Sequence, residues 1–371
     1  MVDLDALEAA GIADARRRAP LISYLDGLGF TAEEMVDAER RGRLFGLAGD
    51  HLQASGPAIH SLRTAAGELG LSVADVERAW AALGLTVAGV DVVALSQADV
   101  EGLRTWSEMR AVLGEEAATG LLRVIGSALA RISEAESSMI RATSPDIQID
   151  LTHDELTTAM AYHTAASYIP RLGALMDAAH RHHLMSTRTY FEHVIRDGST
   201  TVECGVGFAD LSDFTALTQM LTTVELTDLL NGFSSAAADV VHAAGGRVVK
   251  FIGDAVMWVA TTPHLLATAA VELVEHPKAR QAHVRVRAGL DFGSVLAING
   301  DYFGSSVNRA ARLVQAAEPG QVLVSAALRD ALPDWPASGP RELKLEGFDQ
   351  PVPAFALTPG KTGQSVSDNL G

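Results

Sequence analysis

The hydrophobic periodicity of the chain changes once, near residue 200, and that change requires a fold made of two dissimilar parts. From residue 3 to about 195, apolar residues recur at helical spacing, as in Val100, Leu103, Trp106, Met109 and Leu113, which lines up one face of a 3.6-residue helix. After the polar stretch Asp197-Gly-Ser-Thr-Thr201, short β-branched runs alternate with helical ones, the pattern of strands joined by helices. A length of 371 residues also exceeds one ordinary domain. The expected organisation is an all-α domain over residues 1–197 that includes a linker helix, an α+β domain over 198–360, and a flexible tail over 361–371.

Within the first part, Thr31 with Glu34, Ser72 with Asp75, and Ser96 with Asp99 each place a hydroxyl three residues ahead of an acid, the arrangement that satisfies free N–H groups at a helix start. Gly27–Gly29, Gly67–Gly70, Gly84–Gly89 and Ser144-Pro145 interrupt the pattern, so about eight to ten helices are expected. In the second part, strands are expected over Val202–Asp210, Val284–Leu290, Val295–Ile298 and Val322–Ser325. A hairpin of Arg247–Ile252 with Ala255–Ala260 should turn at Gly253-Asp254, and late strands should lie near Leu343 and Ala354. Helices are expected over Thr215–Ala244, either whole or as two, near Leu265–Glu275, and over Ser305–Ala317. This order is a split βαβ, ferredoxin-like plan, with the sheet covered mainly on one face.

Composition narrows the function. The formal net charge is −17, and both parts are acidic, with 28 Asp+Glu against 17 Arg+Lys before residue 201 and 18 against 12 after it. General affinity for phosphate backbones is therefore not expected, and a transcription regulator with helix-turn-helix segments lacks the basic surface it needs. A single cysteine, Cys204, cannot form an intrachain disulfide, and Met1–Ala10 carries acids where a secretory signal carries bases and an apolar run; a cytoplasmic location is expected. No run approaches 18 uninterrupted apolar residues, so no membrane span is expected. Only four of the 29 basic residues are lysine, and the first in the chain is Lys250.

Three constellations carry chemistry. In Val206-Gly-Phe-Ala-Asp210-Leu-Ser-Asp213-Phe-Thr215 a carboxylate ends an apolar strand just before a helix begins, which suits a cation-bound phosphate; taken alone, the block is read more simply with Asp210 or Asp213 capping that helix. In Val248-Val-Lys250-Phe-Ile-Gly253-Asp254-Ala-Val-Met257 a second carboxylate lies at a strand end, and two such groups on neighbouring strands can form a paired metal site, although Asp in a tight turn is also an ordinary structural choice. Lys250 either carries a costly buried charge inside an apolar strand or faces water from an edge. In Asp301-Tyr-Phe-Gly304-Ser-Ser-Val-Asn308-Arg-Ala-Ala-Arg312, Asn308 and Arg312 share a helix face and can donate to phosphate or ribose oxygens.

These blocks, in this order, resemble the class III nucleotidyl cyclase catalytic domain over about Val202 to Leu357. The resemblance implies that Asp210, the Leu211 carbonyl and Asp254 hold two divalent cations, Mg2+ or Mn2+. It also implies that Lys250 and Asp301 read adenine, that Phe214 and Thr215 contact the substrate, that Asn308 orients the ribose and that Arg312 stabilises the transition state. The implied reaction converts ATP to 3′,5′-cyclic AMP and pyrophosphate at sites shared between the two chains of a homodimer. Two positions depart from the family pattern. Asp213 stands where glycine is usual, and Glu346, two residues after Lys344, stands where a phosphate-reaching lysine is usual. These departures keep open a degenerate cyclase fold used for dimerisation or nucleotide sensing; a guanylyl cyclase is the other alternative.

Eight of the twelve histidines precede residue 201, with His163, His180, His182, His183 and His193 approaching the boundary. Histidine changes charge near neutral pH, and the whole arrangement resembles mycobacterial-type soluble cyclases whose helical domain regulates the catalytic domain in response to pH. The expected regulatory residues are His163, His180, His183 and His193. His180-X-His182-His183 could instead bind a transition metal, but no fourth ligand accompanies it.

Overall fold

A computed structural model describes residues 3–192, 201–277 and 284–358, with the side chains of Pro145, Leu151, residues 187–192 and Thr215 outside the description. It divides into Met1–His183 and Leu184–Gly371. The proposed boundary at residue 197, the tail over 361–371 and His193 lie outside the described residues.

The first unit is helical, and all three sequence-read caps form. Thr31 and Ser96 make complete capping boxes with Glu34 and Asp99, and the Ser72 hydroxyl accepts from the Asp75 N–H. Eleven α-helices are described between Leu4 and Glu192. This exceeds the sequence expectation because short segments such as Ile149–Thr152 carry too few residues to show a period. One core gathers Leu7, Ile22, Leu25, Met35 and Leu44, and it is closed by Ala159 from the helix Glu155–Ala166. Arg18 fastens that helix, reaching Glu39 at 2.7 Å and Glu155 at 2.7 Å with little exposure. A second core gathers Leu62, Val76, Leu95, Leu103 and Trp106. Among the described residues, no helix is long and apolar enough to cross a membrane.

The second unit is built on one mixed sheet. Its strands are β1 (Thr201–Leu211), β2 (Arg247–Ile252), β3 (Ala255–Ala260), β4 (Val286–Ile298), β5 (Asp301–Phe303), β6 (Val322–Ser325), β7 (Ala337–Leu343) and β8 (Val352–Leu357). The spatial order is β2-β3-β1-β4-β6-β8-β7, with β5 folded back on β4. β1 lies antiparallel between β3 and β4, so the first four strands follow the ferredoxin-like order expected of a split βαβ unit. The helical stretch after β1 is two helices, Phe214–Thr218 and Thr223–Ala243.

Helices lie on both faces, where coverage mainly on one was expected. Ala209, Leu211 and Trp258 share a core with Phe233, Ala237, Leu266 and Ala270 from the helices Thr223–Ala243 and Pro263–Val274. The alternate residues Val202, Cys204, Val206 and Phe208 pack with Ala310 and Val314 of the helix Ser305–Ala316 on the other side. Burial pushes the Cys204 thiol up to about 12, so it packs as an inert apolar group.

A second correction concerns β4. Asp291-Phe-Gly-Ser294 reads as a break between two short strands, yet one strand of 13 residues runs through it. Gly293 leaves room where a Cβ would meet the Ser306 hydroxyl. At Gly289 a Cβ would overlap the Val314 nitrogen and the Ala310 carbonyl. The glycines therefore let the Ser305–Ala316 helix lie directly on the strand.

Candidate active site

The first carboxylate pair forms as the strand ends require. Asp210 near the end of β1 is registered with Ala255 of β3, which brings it beside Asp254 in the β2–β3 turn. It is also registered with Arg287 of β4, whose Nε and Nη2 reach its two oxygens at 2.6 and 3.1 Å. Burial pushes the Asp210 carboxyl up, against the pull of Arg287. Asp254 is also pushed up, first by burial and then by the Asp210 charge, while its own backbone N–H opposes the rise. Arg287 feels Asp210, Asp213 and Asp254 together, leaving three acids against one cation. That excess of oxygen donors and negative charge fits hard divalent cations. Among the described residues no group of three His, Cys, Asp or Glu side chains converges. The donors the side chains supply are the two carboxylates, so backbone, water and substrate oxygens would have to complete any coordination shell.

Asp213 adopts φ 60° and ψ 20° and makes no side-chain cap to the helix Phe214–Thr218. This left-handed conformation costs a residue with a Cβ about 1–2 kcal/mol, which gives a physical reason for glycine being usual there. Neither aspartate is a simple helix cap, since Asp210 is held by Arg287. Phe214 is half-buried and packs against the core; the Thr215 side chain lies outside the described residues.

The second pair is an ion pair between Lys250 and Asp301. β2 is the sheet edge, but its lysine does not simply face water. The register slips between Val248 and Lys250, and such a bulge re-aims the following side chain. Asp301 is delivered by a turn in which Asn299 and Gly300 both have positive φ, 54° and 77°, and Ile298 pairs directly with Asp301. Asn-Gly is a strong signal for a two-residue hairpin. The Asp301 carboxylate also accepts from the Tyr302 N–H at 2.8 Å.

The third group stands on the helix Ser305–Ala316. Asn308 is exposed. Arg312 donates to Gln315 Oε1 at 2.9 Å and pairs with Glu346 at 3.2 Å, an acid that is largely exposed to solvent. Sequence reasoning missed Arg287, which joins the groups by donating to the Gln315 and Ala317 carbonyls at 3.3 Å while holding Asp210. The available signal was an arginine repeated with period two, Arg285 and Arg287, at the start of an apolar strand.

A family profile described as the adenylate and guanylate cyclase catalytic domain matches residues 198–352. An adenylate cyclase of Streptomyces coelicolor is 32% identical over 311 residues, 80% of each chain. With these matches beside a ferredoxin-like sheet, the chain belongs to the class III nucleotidyl cyclase family. An uncharacterized protein of Mycobacterium tuberculosis H37Rv is 66% identical over 356 residues, covering 96% of this chain and 94% of the relative. A pH-sensitive adenylate cyclase of Mycobacterium tuberculosis is 30% identical over 388 residues, covering 99% and 95%.

Proposed function

We propose that the chain is an adenylyl cyclase that converts ATP to 3′,5′-cyclic AMP and pyrophosphate at sites shared by two copies. The observation that carries the substrate choice is the Lys250–Asp301 pair, which sets one donor beside one acceptor. Lys250 donates to adenine N1 and Asp301 accepts from the 6-amino group. Guanine presents a proton at N1 and a carbonyl at C6, so both groups would be mismatched. Asn308 orients the ribose, and Arg312, released from Glu346, stabilises charge developing on the α-phosphoryl group. Asp210, the Leu211 carbonyl and Asp254 would hold two divalent cations, Mg2+ or Mn2+. When bound, these acidify the 3′-hydroxyl and neutralise the triphosphate. The 3′-hydroxyl gives up its proton to solvent, and its oxygen bonds to the α-phosphorus as the bond to pyrophosphate breaks. The exposed apolar residues Ile252, Ile298 and Phe303, flanking the purine pair in sequence, support coverage of this face by the second copy.

Steady-state assays with ATP and GTP test the specificity. The wild-type chain is expected to favour ATP by about two orders of magnitude in kcat/KM. Lys250→Glu with Asp301→Ser, which swaps donor and acceptor, should reverse the preference. Equal use of GTP by the wild type would favour a guanylyl cyclase, and no cyclic product from either nucleotide would favour a binding module.

The helical unit is proposed to regulate this activity through pH. The His163 ring lies nearly parallel to that of His51 with centroids 6.2 Å apart, and its Nδ1 is 2.8 Å from the Ala48 carbonyl. The two rings meet at the contact between the helices Leu47–Gln53 and Glu155–Ala166. His180 and His183 are exposed on the helix Ile169–Glu192. The activity profile of the full chain is expected to change more steeply between about pH 5.5 and 8 than that of a chain beginning near Asp197. Superimposable profiles would remove the regulatory role.

A further inference from the structure

The Ser305–Ala316 helix carries a second arginine, Arg309, to which the reaction outlined above gives no task. At 100° per residue it lies about 60° around the helix from Arg312 and about 60° from the buried Ser306, between the face that meets the sheet and the face offered to the substrate. Its Nη1 donates to Asp291 Oδ2 at 2.7 Å, and the Asp291 side chain has 0% exposure. The other Asp291 oxygen accepts from the Ser325 hydroxyl, whose oxygen in turn accepts from the Leu328 N–H at 3.2 Å. Asp291 sits between Gly289 and Gly293, on the strand face where those glycines admit the helix. The Arg309 Cζ lies 5.7 Å from the centre of the Phe348 ring, in the loop that also carries Glu346, the partner of Arg312.

We propose that Arg309 is a positioning residue for the cyclase reaction: pinned by the buried Asp291 and resting on Phe348, it sets the rotation of the helix and so the placement of Asn308 and Arg312. The inference rests on the proposed roles of those two residues. Close packing at the glycines fixes how near the helix comes to the sheet, but glycines lack side chains to fix its rotation. A charged fork anchored to an immobile carboxylate supplies that constraint, and the aromatic contact extends it to the Glu346 loop. Both residues positioned in this way act on the ribose and the developing phosphoryl charge, so their displacement is felt in the chemical step more than in nucleotide binding.

The full-length chain is assayed as wild type, Arg309→Gln, Arg309→Lys and Asp291→Asn, with saturating Mn2+ and varied ATP. Arg309→Gln and Asp291→Asn are expected to lower kcat about ten- to a hundredfold with KM changed less than about threefold, and Arg309→Lys should recover most of the loss. Hydrogen exchange in the same proteins, read without nucleotide, should show faster exchange over residues 305–316 and 344–350 and an unchanged β1. An unchanged kcat in Arg309→Gln, equal loss in Arg309→Lys, or unaltered exchange in both segments would overturn the proposal. If the wild type makes no cyclic nucleotide, the cyclase reading fails by itself, and the exchange comparison still decides whether Arg309 holds the helix and loop.

Discussion

Asp254→Asn is expected to reduce cyclic AMP formation by at least about a thousandfold while leaving the fold intact. Asparagine keeps the size and the turn chemistry of aspartate, removes the negative charge and replaces one acceptor oxygen with an N–H donor. In the metal-free chain that charge is a burden, because the Asp254 carboxyl is pushed up by burial and by Asp210. The variant should therefore melt at the same temperature as wild type or slightly higher. The difference appears on adding Mn2+: wild type gains thermal stability because the cation binds only the folded form, and the variant gains little. Product formation, the melting temperature without metal and its shift with metal separate chemistry from folding. Undiminished product together with a full Mn2+-induced shift would sink the metal assignment.

An equally large effect is expected as a recovery. Asp254→Ala and Arg312→Ala chains should each be nearly inactive, and mixing them should restore about a quarter of wild-type activity if copies exchange freely. Half of the dimers would then be mixed, and each mixed dimer would hold one site with both defects and one with neither. The result follows if Asp210 and Asp254 serve one site while Arg312 and the purine pair of the same chain serve the other. Exchange is verified by co-purification through a tag on one partner. Mixed dimers that stay inactive would mean that each chain completes its own site. Activity in either single variant would remove that residue from the chemistry.

Much of this arrangement was legible because it rests on local rules. A carboxylate closing an apolar strand and a Gly-Asp turn between two strands are visible without tertiary knowledge, and both appear at Asp210 and Gly253-Asp254. Lys250 was conspicuous as the first lysine in an arginine-rich chain. Its aim was not legible, since the slip at Val249 depends on pairing with β3. β4 was read as broken for a similar reason: Asp291 and Gly293 are turn residues in isolation, and only Arg309, Ser325 and the overlying helix make them acceptable in a strand. Arg287 was missed because its partner lies 77 positions earlier in the chain. The left-handed backbone at Asp213 was not legible from the residue alone, because residues with a Cβ adopt that region only uncommonly.

The glycine seat beneath the Ser305–Ala316 helix has a mechanical consequence. With the backbone of the helix in contact with the strand at Gly289, no side chain separates the two at that point, and sliding would drive peptide groups into one another. Arg312 and the sheet must travel as one stiff body. A regulatory signal that reaches this domain can hinge that body or change how two such bodies meet, but it has no cheap way to shift the arginine within it.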